Sequence, residues 1–199
     1  MKAVHSVSMV AFSVIMIGVG AAVAKADTTH DHSDHTMHAK MVSESPDSVA
    51  HTAIDSAAQH QIDSMVKAYL VISDQLAHDR LDSLSSPFAQ MALAAQILAK
   101  RGPGGVAEQA AKIANKVPVE VKDIEHVRAS FQALSAELIS LVENAPPSMA
   151  VGVGINKASC PMKSAAWLQK GSDILNPYYG SAMLSCGTIT GEVKALSNN

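Results

Sequence analysis

A stripe of apolar residues near the middle of the chain constrains the fold more than any other feature of the sequence. The stripe alternates steps of three and four residues over five intervals, which is the spacing of one face of an α-helix. Its members are Ile124, Val127, Phe131, Leu134, Leu138 and Leu141. A helix with such a face must bury it against other helices, so the sequence predicts a helical core.

A second long stripe with the same periodicity precedes it and predicts a helix that ends between residues 78 and 81. Its members are Ile54, Ala58, Ile62, Met65, Val66, Tyr69, Leu70 and Leu76. Met65 on this helix and Met91 on the next are expected to fill the core. The histidines that fall on the predicted helices are expected to be surface or packed residues and not metal ligands. They are His51, His60, His78 and His126.

Two shorter helices are predicted between these stripes. One begins at Ser86 and Pro87, because Pro is favoured in a first turn, and ends at the Gly- and Pro-rich residues 101–105. The other covers residues 107–115. Short connections favour antiparallel neighbours. The predicted fold class is therefore all-α, an up-and-down bundle of about four helices over residues 46–145, which the two prolines at 146 and 147 bring to an end.

A small β-hairpin-like cap is predicted for residues 146–199. Residues 151–155 and 187–193 have the composition of short strands, the second with partial period-two alternation. Between them, Asn176 to Gly180 predicts a turn, because Pro177 fixes one backbone dihedral and Gly180 permits a positive φ. Such a turn would bring the end of the chain back toward residue 160.

The cap contains the chain's two cysteines, in a C-x-M pair (Cys160 and Met162) and an M-x-x-C pair (Met183 and Cys186). Thiolate and thioether donors together suit Cu(I), whereas zinc and iron rarely accept a thioether. These four residues are the predicted Cu(I) site. The alternative is a disulfide between the two cysteines, because two cysteines in an oxidising compartment often pair. Copper can bind only the reduced pair.

Residues 27–45 form an arm that is too polar to pack a core and is expected to be disordered. Its candidate metal ligands are His30, His32, His35, Met37 and His38. Imidazoles on a flexible chain suit Cu(II), Zn(II) or Ni(II) without selecting among them. The alternatives are a solvated linker whose histidines bind nothing and a cloning remnant.

Residues 1–26 have the pattern of a secretory signal peptide. Lys2 is followed by a mostly apolar run over residues 7–23, and the small residues Ala24 and Ala26 fit a cleavage site before Asp27. We therefore expect a periplasmic or otherwise secreted protein without stable membrane insertion. The alternative is an uncleaved membrane anchor, since the run is near the length that spans a bilayer.

The charge of the chain and its motifs exclude two classes of function. The formal net charge is −3, and removal of a leader with Lys2 and Lys25 makes it more negative, which argues against a nucleic-acid-binding protein. The sequence has no H-E-x-x-H, no phosphate-binding Gly loop, no C-x-x-C pair and no local hydrolase motif, so no enzymatic activity is predicted.

Several motifs between residues 64 and 193 resemble a bacterial domain of unknown function that is often fused to periplasmic adaptor subunits of heavy-metal efflux pumps. They are Asp123, Arg128, Phe131, Leu134 and Ser135, then Cys160 to Met162, Trp167 and Leu168, Asn176 to Gly180, and Met183 to Gly187. The resemblance implies a helical, extracytoplasmic domain associated with copper or a related metal. The chain does not contain the barrel, lipoyl and hairpin segments of an adaptor, so adaptor activity is not expected.

These observations lead to one prediction of function and one alternative. The prediction is a periplasmic heavy-metal-binding protein that sequesters or hands on Cu(I) at the Cys/Met site, with the His-rich arm capturing ions. Its partners would be metal ions and periplasmic components of an efflux system. The alternative is a structural or interaction domain, stapled by a disulfide, that serves as an accessory to such a system.

Overall fold

The computed structural model describes residues 54–196, and its first half consists of four helices. They are α1 (Ser56–Ala77), α2 (Ser85–Arg101), α3 (Gly104–Lys116) and α4 (Ile124–Asn144). Consecutive helices pack against one another, and α1 also contacts α4. The predicted signal peptide, the His-rich arm and His51 lie outside the described residues.

Both long helices begin at an aspartate that caps the first turn. Asp55 Oδ1 accepts a hydrogen bond from the backbone N–H of Ala58 at 2.6 Å, and Asp123 Oδ1 accepts one from His126 at 2.8 Å. Each cap satisfies an amide that the helix itself leaves without a partner. The short side chain of Asp at these positions therefore helps to fix where each helix starts.

The third helix begins at Gly104, three residues before the predicted start. The carbonyl oxygen of Pro103 accepts hydrogen bonds from the N–H groups of Val106 and Ala107 at 2.9 and 3.1 Å, so the first turn forms on the two glycines. At the end of α2, Gly102 closes the helix with an N–H bond to Leu98 O at 2.7 Å. The predicted break is present, but it is only two residues long, Gly102 and Pro103.

The C-terminal part of the described chain contains a sheet, so the prediction of a mostly helical fold with a small C-terminal β cap is confirmed in part, but the fold class is not all-α. A short helix, α5 (Met149–Gly152), is followed by β1 (Ile155–Cys160), β2 (Ala165–Lys170) and β3 (Thr188–Glu192), with one 3₁₀ turn at Gly180–Ala182. The three strands form an antiparallel sheet in the order β2-β1-β3. The fold is mostly helical with a small C-terminal sheet.

The predicted strand at residues 151–155 is also wrong. Asp63 on α1 accepts hydrogen bonds from the N–H and the Oγ of Ser148 at 2.8 and 2.5 Å, and Ser148 O in turn accepts from Val151 and Gly152. This tertiary contact starts a helical turn where the alternation of Val and Gly suggested a strand. The first strand begins only at Ile155, whereas the strand predicted at 187–193 is present as β3.

The sheet and the helices share one hydrophobic core, so the predicted cap is not a separate unit. A row of aromatic rings crosses from α1 to the sheet. Tyr69 stacks on Phe131 with ring centres 4.8 Å apart, Phe131 lies 6.0 Å from Tyr178, and Tyr178 meets Trp167 edge-on at 5.8 Å. Offset and edge-on ring pairs of this kind stabilise a core beyond their buried area.

The side chains of the helices otherwise lie largely where the sequence placed them. Met65 and Met91 are fully buried, which confirms that they fill the core. His60, His78 and His126 are exposed. None of the helices that the structure describes has the length and apolarity needed to cross a membrane.

Two tyrosine hydroxyls cover the outer edge of β2. Tyr69 Oη accepts a hydrogen bond from the backbone N–H of Leu168 at 3.2 Å, and Tyr178 Oη donates to Ala166 O at 2.6 Å. An uncovered edge strand presents unpaired backbone groups that can pair with another chain. These contacts satisfy two of them, so β2 is held on both sides and β1 is fully internal to the sheet.

Candidate functional site

The two cysteines lie next to each other at one end of the sheet. Cys160 is the last residue of β1 and is 1% exposed, and Cys186 lies two residues before β3 at a half-buried position. Their Sγ atoms are 3.2 Å apart, and both are free thiols. The fold therefore brings together two sulfur atoms that are separated by 26 positions in the sequence.

The turn predicted at residues 176–180 directs the chain back to Cys160. Asn176 is fully buried, and its Oδ1 accepts hydrogen bonds from the N–H groups of Tyr178 at 2.8 Å and Tyr179 at 3.3 Å. Gly180 follows with a φ of 57°, a left-handed conformation that glycine adopts at little cost. The Asn176 Nδ2 donates to Cys186 O at 2.6 Å, which ties the turn to the second cysteine.

Gly187 lets the chain pass closely over the only tryptophan. Its φ is 147°, and a Cβ at this position would lie 2.7 Å from Trp167 Cη2 and 2.9 Å from Ser159 O. Distances this short exclude a side chain unless the indole or the backbone moves. Glycine at position 187 is therefore required for the chain to place Cys186 beside Cys160.

Arg128 on α4 fixes the same turn from the helical side. Its Nε donates to Pro177 O at 2.9 Å and its Nη2 to Leu76 O at 2.7 Å. Asp79, just past the end of α1, accepts a hydrogen bond from the N–H of Ser181 at 3.0 Å. A Cβ on Gly180 would collide with both charged side chains, so glycine is required on this side of the turn too.

The local hydrogen bonds make the two thiols unequal. Burial acts to raise the pKa of Cys160, but hydrogen bonds from the Cys186 thiol, from the backbone of Lys163 and Met162 and from the Asn176 side chain together lower it. The hydrogen bond to Cys160 raises the pKa of Cys186, and burial and the nearby charge of Cys160 act in the same direction. The thiolate form is therefore favoured at Cys160, the more deeply buried of the two cysteines.

The two predicted methionine ligands occupy different surroundings. Met162 lies in the turn after β1 with 66% of its surface exposed, and Met183 is partly buried, with its carbonyl oxygen accepting the N–H of Cys186 at 3.0 Å. Both are therefore neighbours of the thiols along the chain. Their action as thioether ligands stays a prediction, and the ligands predicted in the His-rich arm lie outside the described residues.

The hard and borderline metal ligands within residues 54–196 are not clustered. No group of three or more His, Cys, Asp or Glu side chains in this part of the chain could hold a metal ion. A structural zinc site takes four such ligands and an iron–sulfur cluster usually takes four cysteines. The cysteine pair thus suits an ion that is satisfied by two thiolates, with or without thioethers.

The sequence does not reveal how two of the residues that build this site act. Asn176 predicts only a turn, and its bond to Cys186 goes beyond the short-range contact with its own following backbone that Asn often makes in turns. The partners of Arg128 had no local signal, because Leu76, Asp79 and Pro177 are about 50 residues away in both directions.

Comparisons with known proteins found no relative of this chain. No protein-family model matches the chain, and searches of curated proteins and of solved structures also found no match. The resemblance to the adaptor-associated domain therefore receives no support from these comparisons and stays a prediction.

Proposed function

We propose that this protein binds soft heavy-metal ions outside the cytoplasm, above all Cu(I), and sequesters them or hands them on through Cys160 and Cys186. The observation that supports the proposal is the 3.2 Å contact between the two Sγ atoms at the end of the sheet. Met162 and Met183 would add thioether donors, and the His-rich arm would capture ions before they reach the thiols.

The inner thiol favours metal binding over thiol–disulfide catalysis. A thiolate is the form of cysteine that binds metals, and the lowered pKa of Cys160 favours it. In a disulfide-exchange enzyme the low-pKa sulfur must meet the substrate, whereas here it belongs to Cys160, the buried cysteine of the pair. A small ion needs less access to a buried sulfur than a protein disulfide does, and this difference favours the metal-binding function.

The sulfur spacing requires only a small adjustment. With a metal–thiolate bond of about 2.3 Å, two sulfurs on one ion lie about 3.8 Å apart in a tetrahedral arrangement and about 4.6 Å apart in a linear one. The observed 3.2 Å is shorter than both distances. Binding therefore widens the pair, and a rotation of the Cys186 side chain can supply the difference without moving the backbone of either cysteine.

The nature of the donors supports Cu(I) over Zn(II). Thiolate and thioether sulfur are soft ligands that select Cu(I). Zinc takes thiolates and imidazoles in sets of four, and residues 54–196 contain no group of three or more His, Cys, Asp or Glu side chains that could hold it. A role as an accessory to a heavy-metal efflux system, after export to the periplasm, is the wider setting that the leader pattern and the motif resemblance suggest.

An anaerobic titration of the reduced protein against a Cu(I) chelator tests this function. We expect Cys160→Ser and Cys186→Ser each to abolish competition with the chelator, and a double Met162→Leu, Met183→Leu variant to compete more weakly at nearly unchanged stability. Met149→Leu is the matched control, since Met149 is an exposed methionine on α5. A Cys160→Ser variant that binds Cu(I) as tightly as the parent would refute the proposal.

A second candidate function is a structural or interaction domain in which Cys160 and Cys186 form a disulfide. The 3.2 Å contact also favours this outcome, because a bond of about 2.05 Å needs the sulfurs to approach by only about 1.2 Å. A count of free thiols in protein isolated from its own compartment separates the two functions. A count of two free thiols supports the metal site, and a count of zero supports the disulfide.

The arm is tested separately because it lies outside the described residues. Deleting residues 27–41 should leave the helical circular dichroism unchanged and lower the number of Cu(II) or Zn(II) ions bound near neutral pH. Acidification to pH 5 should have the same effect on the full chain, because imidazoles with a pKa of about 6.5 are then protonated. An unchanged stoichiometry after the deletion would assign the histidines no role.

A further inference from the structure

We propose that Asn176 is the positioning residue of the cysteine pair, because its buried side chain holds the backbone of Cys186 where the two sulfurs touch. The part of this inference that concerns metal affinity rests on the proposed function. The part that concerns the sulfur contact does not, since it applies equally to a disulfide.

The two cysteines are held in different ways. Cys160 is the last residue of the central strand and pairs with Ala165 of β2. Cys186 lies in the loop before β3, where its N–H bonds only one turn back, to Met183 O. The position of Cys160 therefore follows from the sheet, whereas the position of Cys186 requires a contact from outside its own loop.

Asn176 supplies that contact at two points of the loop. Its Nδ2 donates to Cys186 O at 2.6 Å, and its backbone N–H donates to Leu184 O at 2.8 Å. The residue is completely buried, so these hydrogen bonds do not compete with water. A shift of the Cys186 loop away from Cys160 would break the first bond and strain the second.

The role needs an asparagine because one polar atom of the side chain accepts from the turn while a second, separate atom donates to Cys186. Oδ1 caps the N–H groups of Tyr178 and Tyr179, and Nδ2 reaches Cys186 O from the same planar amide. A serine can accept from the turn but has no second polar atom for Cys186. Asn176→Ser therefore keeps a hydroxyl beside the turn and removes the contact with the cysteine.

Removing this contact should lower the effective concentration of one sulfur at the other. Without the contact, the reduced protein can adopt additional conformations in which the two sulfurs are apart. The entropy of these conformations is lost when the sulfurs form a disulfide or bind one ion, so both reactions become less favourable. Asn176 thus favours disulfide closure and two-sulfur metal binding alike, while the bulk of the fold stays the same.

The experiment measures the equilibrium between the protein dithiol and oxidised glutathione, which gives the protein disulfide and two reduced glutathione molecules. We expect Asn176→Ser to lower the equilibrium constant about tenfold, a shift of about 30 mV toward a more easily reduced disulfide. Asn156→Ser is the matched control. Asn156 Nδ2 donates to Gly171 O at 2.9 Å at the other end of β1, so its loss should leave the constant unchanged.

A second measurement uses the parent protein and does not depend on the variant folding. In protein labelled with ¹⁵N, the side-chain amide signal of Asn176 should shift on disulfide formation, and that of Asn156 should not. A folded Asn176→Ser variant with the parent's equilibrium constant would overturn the inference, as would an Asn176 signal that does not respond to oxidation.

The two proposals fail in different ways. If the parent binds no Cu(I) but Asn176→Ser shifts the glutathione equilibrium, the metal function fails and the positioning role stands. If the parent binds Cu(I) and the glutathione equilibrium of Asn176→Ser is unchanged, the positioning role fails and the metal function stands.

Discussion

Arg128 Nη2 lies 2.6 Å from Asp79 Oδ1, and this ion pair joins α4 to the chain two residues past the end of α1. The same guanidinium donates to Leu76 O and Pro177 O, so one largely buried side chain connects two helices and the turn that leads to Cys186. An Arg fork with several fixed acceptors is strongly oriented, because its donors are held in one plane.

Replacing this guanidinium should destabilise the fold. Arg128→Met keeps much of the side-chain volume but removes the donor to Pro177 O, one of the donors to Leu76 O and the partner of Asp79, so we expect the free energy of unfolding to fall by about 2 kcal/mol. Urea denaturation measures it. Arg80→Met is the control, because the pair of Arg80 with Asp74 lies at the surface and should contribute less than about 1 kcal/mol. Equal losses in the two variants would contradict the role of Arg128.

The Asp79 carboxylate should make stability depend on acid. Hydrogen bonds from Ser181 and Arg128 lower the pKa of Asp79 from 3.8 to about 2. A depressed folded-state pKa stabilises the protein above the unfolded value, and the contribution is lost as the pH falls through the folded value. The parent should therefore exceed Asp79→Asn in stability at pH 7 and pH 5, by an amount that shrinks below pH 4 and vanishes near pH 2.

Thermal unfolding of both proteins from pH 7 to pH 2 measures this difference. Asn suits the comparison because Asp79 has a φ of 57°, which Asn tolerates almost as well as Asp. The charge is partly exposed, so salt should reduce the effect. A difference that stays constant down to pH 2 would show that the carboxylate charge is not its source.

Gly187→Ala should disturb the sulfur site through the tryptophan. The new methyl group would meet Trp167 Cη2 and Ser159 O, and the φ of 147° disfavours any side chain, so we expect a loss of at least about 2 kcal/mol in the free energy of unfolding. Because Trp167 is the only tryptophan, its fluorescence reports the change directly.

The control for this change is Gly191→Ala in β3. No heavy atom lies within 4 Å of a Cβ at that position, so stability should change by less than about 0.5 kcal/mol and the fluorescence spectrum should stay the same. If Gly187→Ala leaves the fluorescence and the stability unaltered, the close passage over the indole is not required.

Tyr69→Phe should weaken the contact between α1 and the sheet. The Tyr69 hydroxyl donates to Ser135 Oγ at 2.7 Å and accepts from Leu168 N, and burial raises its pKa well above 10. Its removal leaves a buried amide without a partner, at a cost of about 1–3 kcal/mol. Tyr179→Phe, at a partly exposed ring, is the control in urea unfolding. An unaffected midpoint for Tyr69→Phe would contradict the role of this hydroxyl at the strand edge.

The helices could be predicted because each carries its own periodic signal. The stripe from Ile124 to Leu141 and the stripe on α1 show the period of 3.6 residues whatever they pack against. The start of α3 could not be placed, because a proline carbonyl and two glycines form its first turn and glycine usually signals an interruption.

The strand β2 carried no usable signal. Trp167, Leu168 and Gln169 are buried in succession. Helices α1 and α4 pack against the strand, and Tyr178 and Gly187 from the following loops lie against Trp167. Gln169 is buried by bonding to the indole N–H and to the loop after the strand. Alternation therefore fails, and the strand exists because of its tertiary contacts.

The proximity of the two cysteines could be predicted from the turn residues between them. The hydrogen bonds that hold the cysteines in place could not be predicted. Pro177 and Gly180 predict a reversal of the chain, and the reversal is there. The bond from Asn176 to Cys186 and the three acceptors of Arg128 depend on where distant segments meet, which spacing along one sequence does not encode.

The placement of Cys160 at the end of the central strand has a consequence for rates. With neighbours on both sides of β1 and tyrosine hydroxyls on the outer edge of β2, the amides of this strand should exchange with solvent only when much of the domain unfolds. The loop before β3 has fewer such bonds and should open far more often. Ion capture and release would then proceed at the frequency of a loop opening, while the sulfur at the end of β1 stays in place.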